Sequence, residues 1–73
     1  MVKQLTVQNF GDVRRIVDAA AGCIDDIGVH DERGAIADAK SILGLMRLDY
    51  THPVKLVSEN ERELQAVWRA LAN

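Results

Sequence analysis

Two stretches of this chain repeat apolar residues with a helical period and on one side only, and that one-sidedness limits what the chain can fold into. Val13, Ile16, Val17, Ala20 and Ala21 fall at i, i+3, i+4, i+7 and i+8. Leu64, Val67, Trp68 and Leu71 repeat the pattern at i, i+3, i+4 and i+7. A helix with a single apolar stripe must bury it against another element. Little chain is left to do the covering, because a domain of 73 residues buries only roughly 60% of its unfolded surface. Asp12 is placed to cap the first helix, with Gly22 just past its end. The second helix can start at Ser58 or at Asn60, since each is followed three residues later by a glutamate, the capping-box spacing. Trp68, the largest apolar residue, lies on the stripe and is expected to anchor the core.

The covering elements are short strands. Lys3 to Val7 alternates, with Leu5 and Val7 on one face and Gln4 and Thr6 on the other. Ile24, Ile27 and Val29 form a less regular second strand. Asp31-Glu32-Arg33-Gly34 then supplies turn chemistry for a hairpin into Ala35 to Ala39. That third strand is rich in alanine, which has low strand propensity, so Ile36 is expected to hold it, at an edge of the sheet. Asp49 to Pro53 is a second turn, and Val54 to Ser58 a fourth strand with Val54, Leu56 and Ser58 on one face. A serine-capped helix lies between them, so the order reads βαββαβα. The fold class is α+β, one domain over residues 1–73, with helices on one face of a small antiparallel sheet.

Composition excludes several functions. A net charge of −2 leaves no basic footprint for nucleic acid. Cys23 is alone, so the chain has no internal disulfide and no cysteine metal cluster, and it reads as a small core residue rather than a reactive thiol. There is no apolar run of leader or membrane-anchor type, which makes a reducing cytoplasmic setting the default. There is no paired carboxylate with a histidine, no metal-ligand spacing and no glycine-rich phosphate loop. The expectation is a non-enzymatic protein with no cofactor.

The most distinctive segment is Asp38-Ala39-Lys40-Ser41-Ile42-Leu43-Gly44-Leu45-Met46-Arg47-Leu48. Ser41 opens a short helix with more apolar residues than one stripe can hide, so part of it faces solvent or a partner. This segment resembles the centre of HPr, the phosphocarrier of the bacterial sugar phosphotransferase system, where a Lys-Ser pair opens a helix containing a glycine and a methionine. The order of elements extends the resemblance over nearly the whole chain. It implies an open-faced β-sandwich with strand order 1-4-2-3 and three helices on one face. It also exposes a departure. An HPr carries phosphate on a histidine in a Gly-Leu-His-x-Arg-Pro motif after the first strand, and here that place reads Gln8-Asn9-Phe10-Gly11-Asp12-Val13-Arg14-Arg15. Counting back from Ser41 puts Phe10 at the histidine, whereas aligning the helix ends puts Asn9 there. Neither side chain transfers a phosphoryl group as an imidazole does. Arg14 or Arg15 stands where the motif has its arginine, but without a nucleophile it is only an anion contact. The two histidines, His30 and His52, come at the same end of the expected sheet as this segment, and a substitute carrier role for either is the alternative reading.

The resemblance also draws attention to Ser41. In many Gram-positive bacteria the HPr serine at this place is phosphorylated by a dedicated kinase and the product binds a transcriptional repressor; the paralogue Crh lacks the carrier histidine and keeps the serine. By that likeness the partners are proteins, a kinase or a transcriptional regulator of sugar metabolism, and neither nucleic acid nor membrane. A phosphate at a helix N-terminus gains about 0.3–1 kcal/mol when exposed. Ser41 is thus either a helix cap alone or a cap that is also a regulatory phosphosite. Leu45 and Leu48 are expected to pack inward. Ile42, Leu43 and Met46 then form a docking patch with Arg14 and Arg15, unless the first helix covers them. A binding module that keeps only the fold is the remaining alternative.

Overall fold

The computed structural model describes residues 1–72 of the chain. Four strands and three helices follow one another as β1 (Val2–Leu5), α1 (Phe10–Ala21), β2 (Gly28–His30), β3 (Ile36–Asp38), α2 (Ile42–Leu45), β4 (Val54–Val57) and α3 (Glu61–Ala72). The strands form one antiparallel sheet in the order β1-β4-β2-β3. This is the strand order that the likeness implied. Along each strand alternate residues face the helices: Leu5 pairs with Val54, Lys3 with Leu56, Leu56 with Val29 and Val29 with Ala37. The other face carries Gln4, Lys55, His30 and Ile36 in one row across the strands, and no described helix lies over it. The core lies between the covered face and the helices, where Ile16, Ile27, Val29, Leu45, Val54, Leu56, Leu64 and Val67 are sealed from solvent. No described helix is long and apolar enough to cross a membrane.

Both long helices sit where their stripes require, but their ends differ from expectation. The cap of α1 is Asn9, not Asp12: its Oδ1 accepts from the Asp12 N–H at 3.0 Å. Asp12 serves one step further in, reaching back to accept from the Gln8 N–H at 2.9 Å. Both residues are good caps three positions apart, and the apolar stripe begins too late to choose between them. Ala21 is exposed, because on a helical wheel it is the expected stripe residue furthest from the centre of the stripe. Asn60 caps α3, with its Oδ1 accepting from the Glu63 N–H at 3.1 Å. Ser58 takes the Asn60 N–H on its hydroxyl oxygen at 3.0 Å, leaving the Glu63 carboxylate available for another task. Trp68 sits at the margin of the core rather than within it. Its Nε1 donates to the Gln4 carbonyl at 3.0 Å and its ring lies 4.9 Å beneath the Lys3 ammonium, while Leu64 and Val67 fill the centre.

Two strands also need correction. Ile24 lies outside β2 and is exposed. It stands three positions before Ile27, and a strand alternates every two, so both cannot face the same core. β3 is an edge strand as expected, but Ala37 and Ala39 face inward while Ile36 is 67% exposed. The alanines belong there because α2 rests on them: a Cβ added to Gly44 would lie 3.4 Å from the Ala37 methyl and 3.2 Å from the Ser41 hydroxyl. A bulkier inward residue on β3 would lift the helix away.

Two glycines that look alike in the sequence separate in the structure. Gly34 in the β2–β3 hairpin has φ +91°, a backbone that suits only residues without Cβ. Gly22 ends α1 with φ −84° and ψ −2°, which any residue adopts, and a Cβ there makes only an ordinary contact, 3.7 Å from the Ala19 carbonyl. Replacing Gly34 by alanine should therefore cost about 1–2 kcal/mol. The same change at Gly22 should be neutral or add about 0.4–1 kcal/mol by restricting the unfolded chain. Chemical denaturation of the two variants measures both signs.

Candidate functional site

β1 and the segment after it deliver the start of α1 to the same end of the sheet as the end of α2. Between them is a groove of about 410 Å³ lined by Val7, Gln8, Asn9, Phe10, Val13, Met46, Tyr50 and Thr51. Val7 and Val13 form its buried floor, whereas Phe10 is 53% and Met46 57% exposed on its sides. Asn9 and Phe10, the two positions at which the likeness would expect a carrier histidine, have distinct tasks. Asn9 spends its amide oxygen on capping α1, and Phe10 presents an aromatic ring to solvent. Neither offers a nucleophile.

Ser41 is the cap of α2, as its sequence position suggests: its Oγ accepts from the Gly44 N–H at 3.2 Å. The α-helical part is shorter than the apolar run, only Ile42–Leu45. It continues through a tighter turn in which the Arg47 and Leu48 N–H groups donate to carbonyls three residues back, each at 3.2 Å. Such a short helix carries little summed dipole, so the local N–H groups, not a macrodipole, would meet any charge placed on Ser41. Leu45 and Leu48 pack inward and Ile42 is half-buried against the core. Leu43 is 72% exposed and, with Met46, forms the solvent-facing apolar side of α2. Ser41 does not line the groove; one helical turn separates it from Met46. Lys40 directs its ammonium to the Cys23 carbonyl at 3.0 Å, and its own N–H is held by Asp38 at 2.9 Å.

The basic residues divide in the same way. Arg14 is exposed and makes no ion pair among the described residues, whereas Arg15 lies 3.8 Å from Asp12 on the exposed surface of α1. A pair of that kind contributes little. His30 is the last residue of β2, half-buried, and borders a hollow of the uncovered sheet side with Lys55 and Gln4. His52 is exposed in the loop before β4, with Nδ1 3.0 Å from the Glu32 carboxylate. Neither histidine lines the groove, although Thr51, beside His52, does. Cys23 is half-buried, with its Sγ donating to the Ala19 carbonyl at 3.6 Å. Burial foremost, and then the nearby Glu63 carboxylate, push its thiol pKa up, which keeps it protonated and unreactive.

A residue that sequence reasoning used only as turn chemistry holds the floor of this end together. The buried Asp31 carboxylate accepts from the Ala35 N–H at 2.8 Å, closing the hairpin, and from the Asp49 N–H at 2.9 Å, tying the hairpin to the segment after α2. Asp49 in turn accepts from the Thr51 hydroxyl at 2.6 Å and the Thr51 N–H at 2.9 Å, and lies 3.4 Å from Arg33. Tyr50, between them, donates its hydroxyl to the Leu45 carbonyl at the end of α2. Burial, with Asp31 nearby, raises its pKa to about 12. Short spacing between Asp49 and Thr51 was a legible sign of a turn; the link from Asp31 across 18 residues was not.

Neither a protein-family model nor a curated protein sequence matches this chain.

The carboxyls of Asp31 and Asp49 are both held below the usual carboxylate range. Asp31 is lowered first by the Asp49 N–H and Asp49 first by the Thr51 hydroxyl. Near pH 4 the unfolded chain therefore binds more protons than the folded one, so stability rises with pH there. It is complete above the unfolded carboxyl value and is lost as pH falls through the lowered ones. Asp31→Asn keeps the shape but cannot accept from both N–H groups on equal terms. It should lower the midpoint of thermal unfolding at pH 7 and flatten the decline of that midpoint below about pH 4. Thermal melts of wild type and variant across that range test the assignment.

Proposed function

We propose that the chain is a divergent HPr-like protein that works by protein contacts and not by carrying phosphate on histidine. One observation carries this reading: the place where a carrier histidine would stand is an apolar groove between Phe10 and Met46, beside a Ser41-capped turn whose Leu43 faces solvent. A partner helix or loop can bury Phe10, Met46 and Leu43 together, with Arg14 and Arg15 at the rim. Aromatic, methionine and arginine side chains are the types that contribute most at such surfaces. Ser41 stands one turn from this patch, so a phosphate there changes the charge at its border without entering the core.

The carrier alternative is opposed by electrostatics. The Glu32 carboxylate, 3.0 Å from Nδ1 of His52, repels an incoming phosphoryl group. His30 lies on the other side of the sheet from the helices, away from the groove.

Aspartate is as good a helix cap as serine, so Ser41→Asp should leave the fold intact while placing a negative charge at the border. Ser41→Ala should cost about 1 kcal/mol of stability through loss of the cap. Binding of the two variants to a transcriptional repressor of sugar metabolism, measured by calorimetry, should differ by tenfold or more if Ser41 is regulatory. Equal affinities would leave it a cap alone. Incubation with phosphoenolpyruvate and Enzyme I should give no acid-labile phosphate by mass spectrometry, and a labelled histidine would overturn the reading.

A further inference from the structure

The sheet has two edges, and β1 is the longer of them, four residues against three in β3. Met1 and Ser58 exchange both backbone hydrogen bonds, the Met1 nitrogen donating to the Ser58 carbonyl at 2.9 Å and the Ser58 N–H to the Met1 carbonyl at 3.1 Å. In an antiparallel ladder every second pair exchanges bonds, so Lys3 with Leu56 and Leu5 with Val54 are the bonded pairs that follow. The N–H and C=O groups of Val2 and Gln4 therefore point away from β4. A row of such groups is a template for another strand.

The two edges are closed in different ways. In β3 the same alternation is set by the Asp31 N–H on the Ala35 carbonyl and the Ala39 N–H on the Ile27 carbonyl, and it turns the groups of Ile36 and Asp38 outward. The Asp38 carbonyl accepts from the Ser41 N–H at 2.9 Å as the chain turns into α2, so among the described residues Ile36 alone keeps both groups free. One residue makes a poor template. On β1 a side chain does the closing: the Trp68 Nε1 of α3 donates to the outward Gln4 carbonyl at 3.0 Å. The indole must stand beside the edge to make that bond, in the path of an incoming strand. The Lys3 ammonium, 4.9 Å from the ring centroid, helps to keep it there. A tryptophan sunk fully into the core would leave this carbonyl bare.

We propose that Trp68 guards the β1 edge, and that withdrawal of its indole from Gln4 lets β1 pair antiparallel with β1 of a second copy. The contact so formed is isologous, one strand against the same strand about a two-fold axis. With Gln4 opposite Gln4 of the second copy, Lys3 lies opposite Leu5, so like charges do not meet. This pairing is independent of the Phe10–Met46 groove, of Ser41 and of the family likeness.

Sedimentation over rising concentration separates the guard from ordinary packing. Trp68→Ala should dimerise at concentrations where wild type remains a monomer, a difference of about tenfold or more in dissociation constant. Trp68→Phe keeps an apolar ring but cannot donate, and should fall between the two; it carries the comparison if circular dichroism shows Trp68→Ala unfolded. Val67→Ala leaves a cavity at a buried position of the same helix with the indole in place, so it should lose stability and stay monomeric. Gln4→Pro removes an N–H that β4 does not use, a substitution tolerated on an edge strand. Added to Trp68→Ala, it should return the chain to a monomer. The Gln4 amide hydrogen, which faces solvent in the monomer, should exchange more slowly as the variant dimerises. A Trp68→Ala chain that stays monomeric, a Val67→Ala chain that associates as strongly, or association that survives Gln4→Pro overturns the proposal.

Discussion

β4 is hydrogen-bonded along both of its edges, to β1 on one side and β2 on the other, and among the described residues it alone joins β1 to the rest of the sheet. Val54 and Leu56, its two inward residues, are sealed from solvent. A segment late in the chain therefore holds a segment at its beginning, from Val54 paired with Leu5 to Val57 paired with Val2, and the start of α1 is located by that pairing. The groove inherits its geometry from it. Phe10 meets Met46 because β1 is fixed beside β4, not because anything local brings them together. Loop closure over such a separation costs entropy before it is rewarded by contacts, so β4 must bury both inward residues well for the site to exist.

The parts of the fold that were legible in the sequence are those specified locally. The two amphipathic helices, the Asp31–Gly34 turn, the Ser41 cap and the alternation in β4 each depend on residues within a few positions of one another. The strand order was legible only through the resemblance of the 38–48 segment to a known family. Three readings, those of Ile36, Glu63 and Asp31, missed a role that is decided by a partner on another element. Ile36 looked like the natural anchor of β3, but α2 occupies the inner side and needs alanine there. Glu63 had the spacing of a capping box, but Ser58 already takes the N–H it would have served, and the carboxylate holds the Ile24 loop instead. Asp31 read as a turn former and proves to be the tie between two loops.

The candidate site was legible as chemistry and not as shape. The absence of histidine between Gln8 and Arg15 was plain, and so was the surplus of apolar residues after Ser41. Leu45 and Leu48 were expected inside and Ile42, Leu43 and Met46 outside unless the first helix covered them. Geometry divides them: Ile42 half in, Leu45 and Leu48 fully in, Leu43 and Met46 out. What sets the division is the close approach of α2 to β3 at Gly44, which rotates the helix so that its third and sixth residues, counted from Ser41, point to solvent. The same rotation keeps the Ser41 hydroxyl at the edge of the domain, partly accessible, while it still satisfies the Gly44 N–H.

The seat of Trp68 gives the molecule a built-in optical reporter. It is the sole tryptophan, half-buried, with its indole N–H committed to the Gln4 carbonyl and a lysine ammonium above its ring. Emission from an indole depends on the polarity and charge around it, and here both are set by the contact between α3 and β1. Fluorescence therefore follows the detachment of the last helix from the first strand in particular, and its spectrum will change before a signal averaged over all three helices does whenever that seam opens first.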